Sequence, residues 1–160
     1  MDKASREFIE RMGTVAEEDG FPRIAGRLLG YLLLEEGPFS LDHLATELQV
    51  SKPSISVNAR RLEELGLLER VGEPGDRRDY YRLGANPWER AAAIARARLQ
   101  RMHDVLAVGR SSMPEGTERR RRLAEWQHFY AFLLDDLGTK VERWRAYRAQ
   151  REAVGADSVE

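Results

Sequence analysis

The stretch from Ser40 to Gly66 constrains the fold most, because two short amphipathic helices meet there across a connection of only Gln49 and Val50. Ser40 is a good N-cap for the first, whose Leu41, Leu44, Ala45 and Leu48 share one face, with His43 where a capping box usually has Glu. Ser51 caps the second, Pro53 suits its first turn, and Ile55, Ala59, Leu62 and Leu65 face inward until Gly66 ends it. Two helices joined by so short a turn form a helix-turn-helix. The rest of the chain must pack around that corner.

Ahead of it, Phe8, Ile9, Met12, Val15 and Ala16 recur at helical spacing up to Asp19 and Gly20. Pro22 opens a second helix carrying Ile24, Leu28, Leu29, Leu32 and Leu33, apolar on several sides and therefore expected at the domain centre. After Gly66 the period changes. Leu67 to Val71 and Asp79 to Leu83 read as paired strands around the polar turn Gly72 to Arg78. Pro87 then starts a long helix with Trp88, Ala92, Ala95, Leu99, Met102 and Leu106 on one stripe, and Ser111 to Gly116 breaks it. A last helix runs from Thr117 or Glu118 to about Gln150, with Leu123, Trp126, Tyr130, Leu133, Leu137, Trp144 and Tyr147 in a heptad register interrupted at Lys140.

This order predicts a mainly α fold with a small β-hairpin wing: a winged helix-turn-helix plus long terminal dimerisation helices. Residues 1–20 are expected to contribute to a dimer interface, 21–86 to form the DNA-binding domain, and 87–152 to form the long-helix dimerisation region. A disordered tail is expected at 153–160. The dimer seam is assigned to Phe8, Met12, Leu123, Trp126, Tyr130, Leu133, Leu137 and Trp144. A helix with such a seam wants a partner, either its own neighbour or a second copy.

With no cysteine among 160 residues, disulfides, thiolate zinc sites and cysteine nucleophiles are excluded. No apolar run is long enough for a membrane span, and the first residues lack the apolar core of a signal peptide, so a cytoplasmic address is expected. The net charge of -1 argues against a polyanionic partner only if the charges are evenly spread. They are not. Residues 1–50 carry a net -5, residues 51–100 a net +3 and residues 101–160 a net +1.

The basic middle holds the candidates for a nucleic-acid interface. A helix that enters a major groove by its N-terminal half needs small polar or basic side chains there. Ser51, Lys52, Ser54, Ser56, Val57 and Asn58 supply them, with Arg60 and Arg61 able to reach phosphate. Asn58 is read as exposed and able to pair with adenine, and Val57 as able to touch a thymine methyl. Asp76, Arg77 and Arg78 lie on the wing tip, where an arginine can enter a narrow minor groove.

Other chemistries are weaker. No nucleophile, general base and orienting group stand at motif spacing, and no Gly-rich phosphate loop is present, so an enzyme is not expected. His43, His103 and His128 are too scattered for a metal site, and no cofactor is expected. Trp88, Trp126 and Tyr130 are candidates for a small-molecule effector site, against the commoner role of such aromatics as core or seam. Arg119 to Arg122 read as a solvated face, a secondary phosphate contact or a contact to a partner chain.

Leu41 to Arg70, with Asp76-Arg77-Arg78 in the wing, resembles the MarR family of bacterial regulators, and the early helix and long C-terminal pair resemble its GbsR-like branch. The resemblance implies a homodimeric cytoplasmic transcription factor, usually a repressor, that binds an inverted-repeat operator in double-stranded DNA and is released by a small ligand. It implies that Ser56 and Arg61 are recognition-helix contacts and Arg78 the minor-groove arginine, with Asp76 orienting it or pairing with a helix arginine. Val57 departs from the pattern, standing where many members carry a basic residue. Two rival readings are a winged-helix protein-interaction module without DNA readout and a ligand-binding helical dimer with weak DNA contacts.

Overall fold

The computed structural model describes the backbone of residues 1–156 and the side chains of residues 1–151. Of the expected tail at 153–160, residues 157–160 lie outside the described residues, and helix backbone continues to Ala156. The described chain holds six helices and one three-stranded antiparallel sheet, the mainly α class expected from the sequence. It divides into two compact units, Met1–Arg90 and Ala91–Glu160.

In the first unit, α1 (Lys3–Glu18) is capped by Asp2, whose carboxylate accepts from the Ser5 amide at 2.8 Å. It packs on α2 (Arg23–Leu34) through glycines, for a Cβ added at Gly26 would lie 2.3 Å from the Met12 carbonyl oxygen. Next come β1 (Phe39–Ser40), α3 (Leu41–Leu48) and α4 (Lys52–Glu64). Ser40 and Ser51 cap α3 and α4 as their positions predict, accepting from the His43 and Ser54 amides. The turn is tightened by Gln49, a non-glycine in the left-handed region at φ 52°.

Gly66 ends α4 at φ 70°, and the Leu67 amide reaches back to the Leu62 carbonyl at 2.9 Å, a Schellman closure. That turn aims the chain into β2 (Leu68–Val71), which pairs with β3 (Tyr80–Leu83). The hairpin was legible, but β1 was not. Phe39 and Ser40 pair with Tyr81 and Tyr80, which makes β3 the central strand. The core of this unit is Ile9, Leu28, Tyr31, Leu44, Leu48, Ile55, Ala59, Leu62, Leu68 and Tyr81, all buried. At roughly 1.5–3 kcal/mol for each large apolar side chain, their burial fixes the helix-turn-helix on α2 and the sheet.

Two helices dominate the second unit. The part of α5 (Pro87–Ser111) within it runs antiparallel to α6 (Glu118–Ala156): Arg96 donates to the Leu134 carbonyl, Gln127 meets His103, and Leu123 lies over Gly109. Little is buried. No residue of α5 is buried, and in α6 Leu134 is the one buried apolar residue among those described. Trp126, Phe129, Phe132, Trp144, Tyr147, Met102, Val105 and Val108 are exposed.

Candidate nucleic-acid interface

Helix α4 offers its N-terminal half to solvent because Ser51 starts it at a sharp corner and its buried apolar residues all point to the core. Lys52, Val57, Arg60 and Arg61 are exposed, and Ser54 and Ser56 are half-buried. Ser51 is occupied as the cap and donates to the Ser54 hydroxyl at 3.0 Å. Lys52 is not a bare cation, since its Nζ lies 2.8 Å from Oδ1 of Asp42 in the first turn of α3. Arg60 folds back on its own helix and donates to the Ser56 carbonyl and hydroxyl at 3.3 and 3.2 Å. Arg61 lies over the Phe21 ring at 5.6 Å. Phe21, Val57, Arg60, Arg61, Glu64 and Leu65 bound an open groove of about 590 Å³ on this face.

Asn58 is a correction. It is 7% exposed, and its Nδ2 donates to the Ser54 carbonyl at 2.8 Å. Three residues after Ile55 and four before Leu62, it falls on the inward stripe of α4 and presents no amide to a base edge. Val57, by contrast, is 60% exposed at the centre of the outer face.

The wing tip is built around a cyclic network. Both Asp76 carboxylate oxygens accept from Arg78 Nε, and Oδ2 also accepts from Arg78 Nη2. The Arg78 amide donates to Asp76 Oδ1 at 2.9 Å. Tyr80 closes the ring: its hydroxyl donates to Asp76 Oδ2 at 2.9 Å and accepts from Arg78 Nη2 at 3.0 Å. The Arg78 side chain and amide, followed by the Tyr80 hydroxyl, hold the Asp76 carboxyl well below the usual carboxylate range. Asp76 raises Arg78 in turn, by hydrogen bonding and by its charge. Arg77 is exposed and has no partner among the described residues. The hairpin behind the tip is tied by Arg82 to Glu69 at 3.0 Å and by Arg70 to Asp79 at 3.4 Å.

Lys52, Arg60, Arg61, Arg77 and Arg78 are thus exposed on one compact unit, with Ser51, Ser54, Ser56 and Val57 beside the first three on α4. Three residues that matter here were not singled out by sequence reasoning: Asp42, Phe21 and Tyr80. Their partners lie 10, 40 and 4 residues away. The Asp42 to Lys52 and Phe21 to Arg61 contacts follow from packing of different elements and leave no local pattern.

The dimer candidates separate. Met12 is half-buried, and a Cβ added at Gly30 of α2 would meet its Cβ at 3.0 Å, so it serves its own chain; Phe8 is 37% exposed. In α6, Leu123, Tyr130, Leu133 and Leu137 are half-buried, whereas Trp126 and Trp144 are exposed. The seam is therefore shared between a margin turned to α5, where Leu123 lies, and a margin left open. Trp126 and Tyr130 are stacked at 6.4 Å with Phe129 edge-on to both; Trp88, the third effector candidate, belongs to the first unit. The arginine run turns inward in part: Arg120 Nη1 donates to the Met113 carbonyl at 2.9 Å, and Arg121 and Arg122 pair with Glu118. Among the described residues no His, Asp or Glu cluster able to hold a metal is found, and no helix is long and apolar enough to cross a membrane.

Residues 19–79 match the model of the MarR family, and residues 86–147 match that of the MmpR5-like MarR family transcriptional regulators. The HTH-type transcriptional regulator MmpR5 of Mycobacterium tuberculosis is 40% identical over 142 residues, covering 86% of this chain and 85% of that one. The HTH-type transcriptional repressor OpcR of Bacillus subtilis is 24% identical over 151 residues, covering 83% and 82%. A crystal structure of a transcriptional regulator superposes with a TM-score of 0.71 at 36% identity, covering 89% of this chain and 99% of that one.

Proposed function

For a chain that belongs to the MarR family of winged-helix transcriptional regulators, we propose that this DNA-binding regulator acts as a homodimeric repressor reading an inverted-repeat operator. The observation that carries the reading is the joint exposure of Lys52, Arg60 and Arg61 on α4 with Arg77 and Arg78 on the wing of the same unit. In the proposed mode α4 enters the major groove by Ser51 to Arg61, and the wing tip meets the flanking minor groove. Ser54, Ser56 and Val57 face base edges, while Lys52, Arg60 and Arg61 meet phosphate. Two-fold symmetry sets the half-sites about one DNA turn apart, roughly 34 Å.

The second copy is the occupant we propose for the open face of the second unit. Trp126, Phe129 and Phe132 on α6 and Val105 and Val108 on α5 leave more exposed apolar surface than a lone two-helix hairpin can keep in water. Trp126→Glu is expected to shift the sedimentation coefficient from dimer to monomer. A small-molecule effector near Trp126 and Tyr130, a cytoplasmic address and placement in the GbsR-like branch complete the proposal. The branch placement rests on the early helix and the long C-terminal pair.

The test is a fluorescence-anisotropy titration of a duplex recovered by in vitro selection, repeated over a range of salt. Arg78→Ala is expected to weaken binding and to flatten the dependence of log K on log salt by about 0.9 for each wing that loses a phosphate contact. An unchanged affinity and slope removes the wing from the interface.

A further inference from the structure

We infer that Tyr80 is a positioning residue of the DNA interface, its hydroxyl orienting Arg78 so that one guanidinium nitrogen points away from the clasp. The inference rests on the reading that the wing meets DNA. A guanidinium has five N–H donors: one on Nε and two on each terminal nitrogen. At the wing tip, Nε is engaged by Asp76, and Nη2 by Asp76 and the Tyr80 hydroxyl. Nη1 has no partner among the described residues, so both of its donors remain for a ligand. The minor groove presents single acceptors, adenine N3 and thymine O2, that such a nitrogen can take.

Asp76 alone does not fix that geometry. It lies two residues from Arg78 in the same loop, so the pair could move as a body. Tyr80 is different. It stands on the central strand, paired with Ser40 on one side and Val71 on the other, and is only 9% exposed. Its ring lies 5.6 Å from the Arg78 guanidinium carbon, and its hydroxyl touches both members of the pair. The hydroxyl remains protonated at neutral pH, since its hydrogen bond to Asp76 raises its pKa above the ordinary tyrosine value. The rigidity of the sheet therefore reaches a side chain that would otherwise lose rotamer freedom only on meeting DNA.

A double-mutant cycle tests this. Tyr80→Phe keeps the buried ring and deletes the hydroxyl. In the full-length protein, on the selected duplex, it is expected to weaken binding about three- to ten-fold, the range of one net hydrogen bond. The melting temperature should stay with the wild type. In an Arg78→Ala background the same substitution should change nothing, because the group it positions is gone. Asp76→Asn is the second route into the clasp and should show the same loss and the same coupling if Tyr80→Phe folds poorly. Equal losses with and without Arg78 would make Tyr80 a structural residue and overturn the inference. So would wild-type affinity for Tyr80→Phe. If Arg78→Ala itself binds as wild type, the wing reading fails, and that single variant identifies the failure.

Discussion

The ion pair between Asp42 and Lys52 places an acid at the start of the proposed recognition helix, and its removal makes a prediction with two opposed signs. Lys52 Nζ lies 2.8 Å from Oδ1 and 3.0 Å from Oδ2 of Asp42, and both side chains are slightly more than half exposed. An exposed pair of this kind is worth about 0–1 kcal/mol. Asp42 also lies in the first turn of α3, where a negative charge favours the helix by about 0.3–1 kcal/mol. Asp42→Asn should therefore destabilise the fold by about 1 kcal/mol, or roughly 2–4 °C in Tm for a chain of this size.

On DNA the sign reverses. The amide frees Lys52 for phosphate and removes a carboxylate whose charge also reaches Arg78. One additional phosphate neutralised per protomer steepens the log K against log salt slope by about 0.9, so between 1 M and 0.1 M salt each contributes about eight-fold. Anisotropy titrations on the selected duplex and on a scrambled one, beside a thermal melt, measure both signs. Weaker or unchanged DNA binding by Asp42→Asn would refute the reasoning. It would mean that Lys52 is a cap-side surface residue and no part of the interface.

Gly26→Ala should lower Tm by roughly 5–10 °C, because the new methyl would sit 2.3 Å from the Met12 carbonyl oxygen and 2.5 Å from the Ala16 Cβ, and overpacking of this kind costs about 1–3 kcal/mol or more; a wild-type melt would mean that α1 is free to shift. Gln49→Gly, which relieves a left-handed non-glycine turn, should raise or hold stability and leave DNA binding alone, and a urea titration that finds clear destabilisation would show that the Gln49 side chain matters. Alkaline stability carries a third expectation. Burial first, then Glu47 and Glu35, push the Tyr31 hydroxyl up to about 12 from its ordinary 10, so its contribution is intact below pH 10 and is lost as pH rises towards 12. Tyr31→Phe should make the urea midpoint less pH-dependent across that window, even though it also deletes the 2.8 Å bond to His43. An equally steep decline in the variant would assign the dependence to other groups.

The helix-turn-helix was legible because its boundaries are chemical. Ser40, Ser51 and Gly66 each stop or start a helix through hydrogen bonds to residues three to five away, which is the range a sequence window sees. Asn58 was misread although its signal was present, since the spacing of Ile55 and Leu62 already puts position 58 inward. Polarity was allowed to outweigh periodicity. The seam of α6 is legible as a stripe, but whether each of its residues meets α5 or a second copy depends on packing between elements, which a sequence window does not see. Leu123, Tyr130, Leu133 and Leu137 of that stripe are half-buried, Trp126 and Trp144 are exposed, and the buried Leu134 lies off it. Strand β1 has two residues and no pattern of its own; it is a strand because β3 lies beside it.

Along the sequence the charges segregate, with a net -5 in residues 1–50 and a net +3 in residues 51–100 that hold the basic candidates. In the fold, part of the acid lies beside cations of the proposed interface. Asp42 holds Lys52, and Asp76 holds Arg78. A phosphate that meets these cations must displace or share with a carboxylate already there, so its attraction is weaker than that to a bare lysine or arginine. Duplex of arbitrary sequence offers only phosphates and bears that exchange in full. An operator adds base-edge contacts to Ser56 and Val57 and a groove shaped for the wing, which the exchange leaves untouched. Removing the Asp42 carboxylate, which unlike Asp76 is no part of the Arg78 clasp, should therefore narrow the ratio of operator to scrambled affinity while raising both. On this argument Asp42→Asn strengthens binding to the scrambled duplex by the larger factor, and an equal strengthening on both would place discrimination outside these ion pairs.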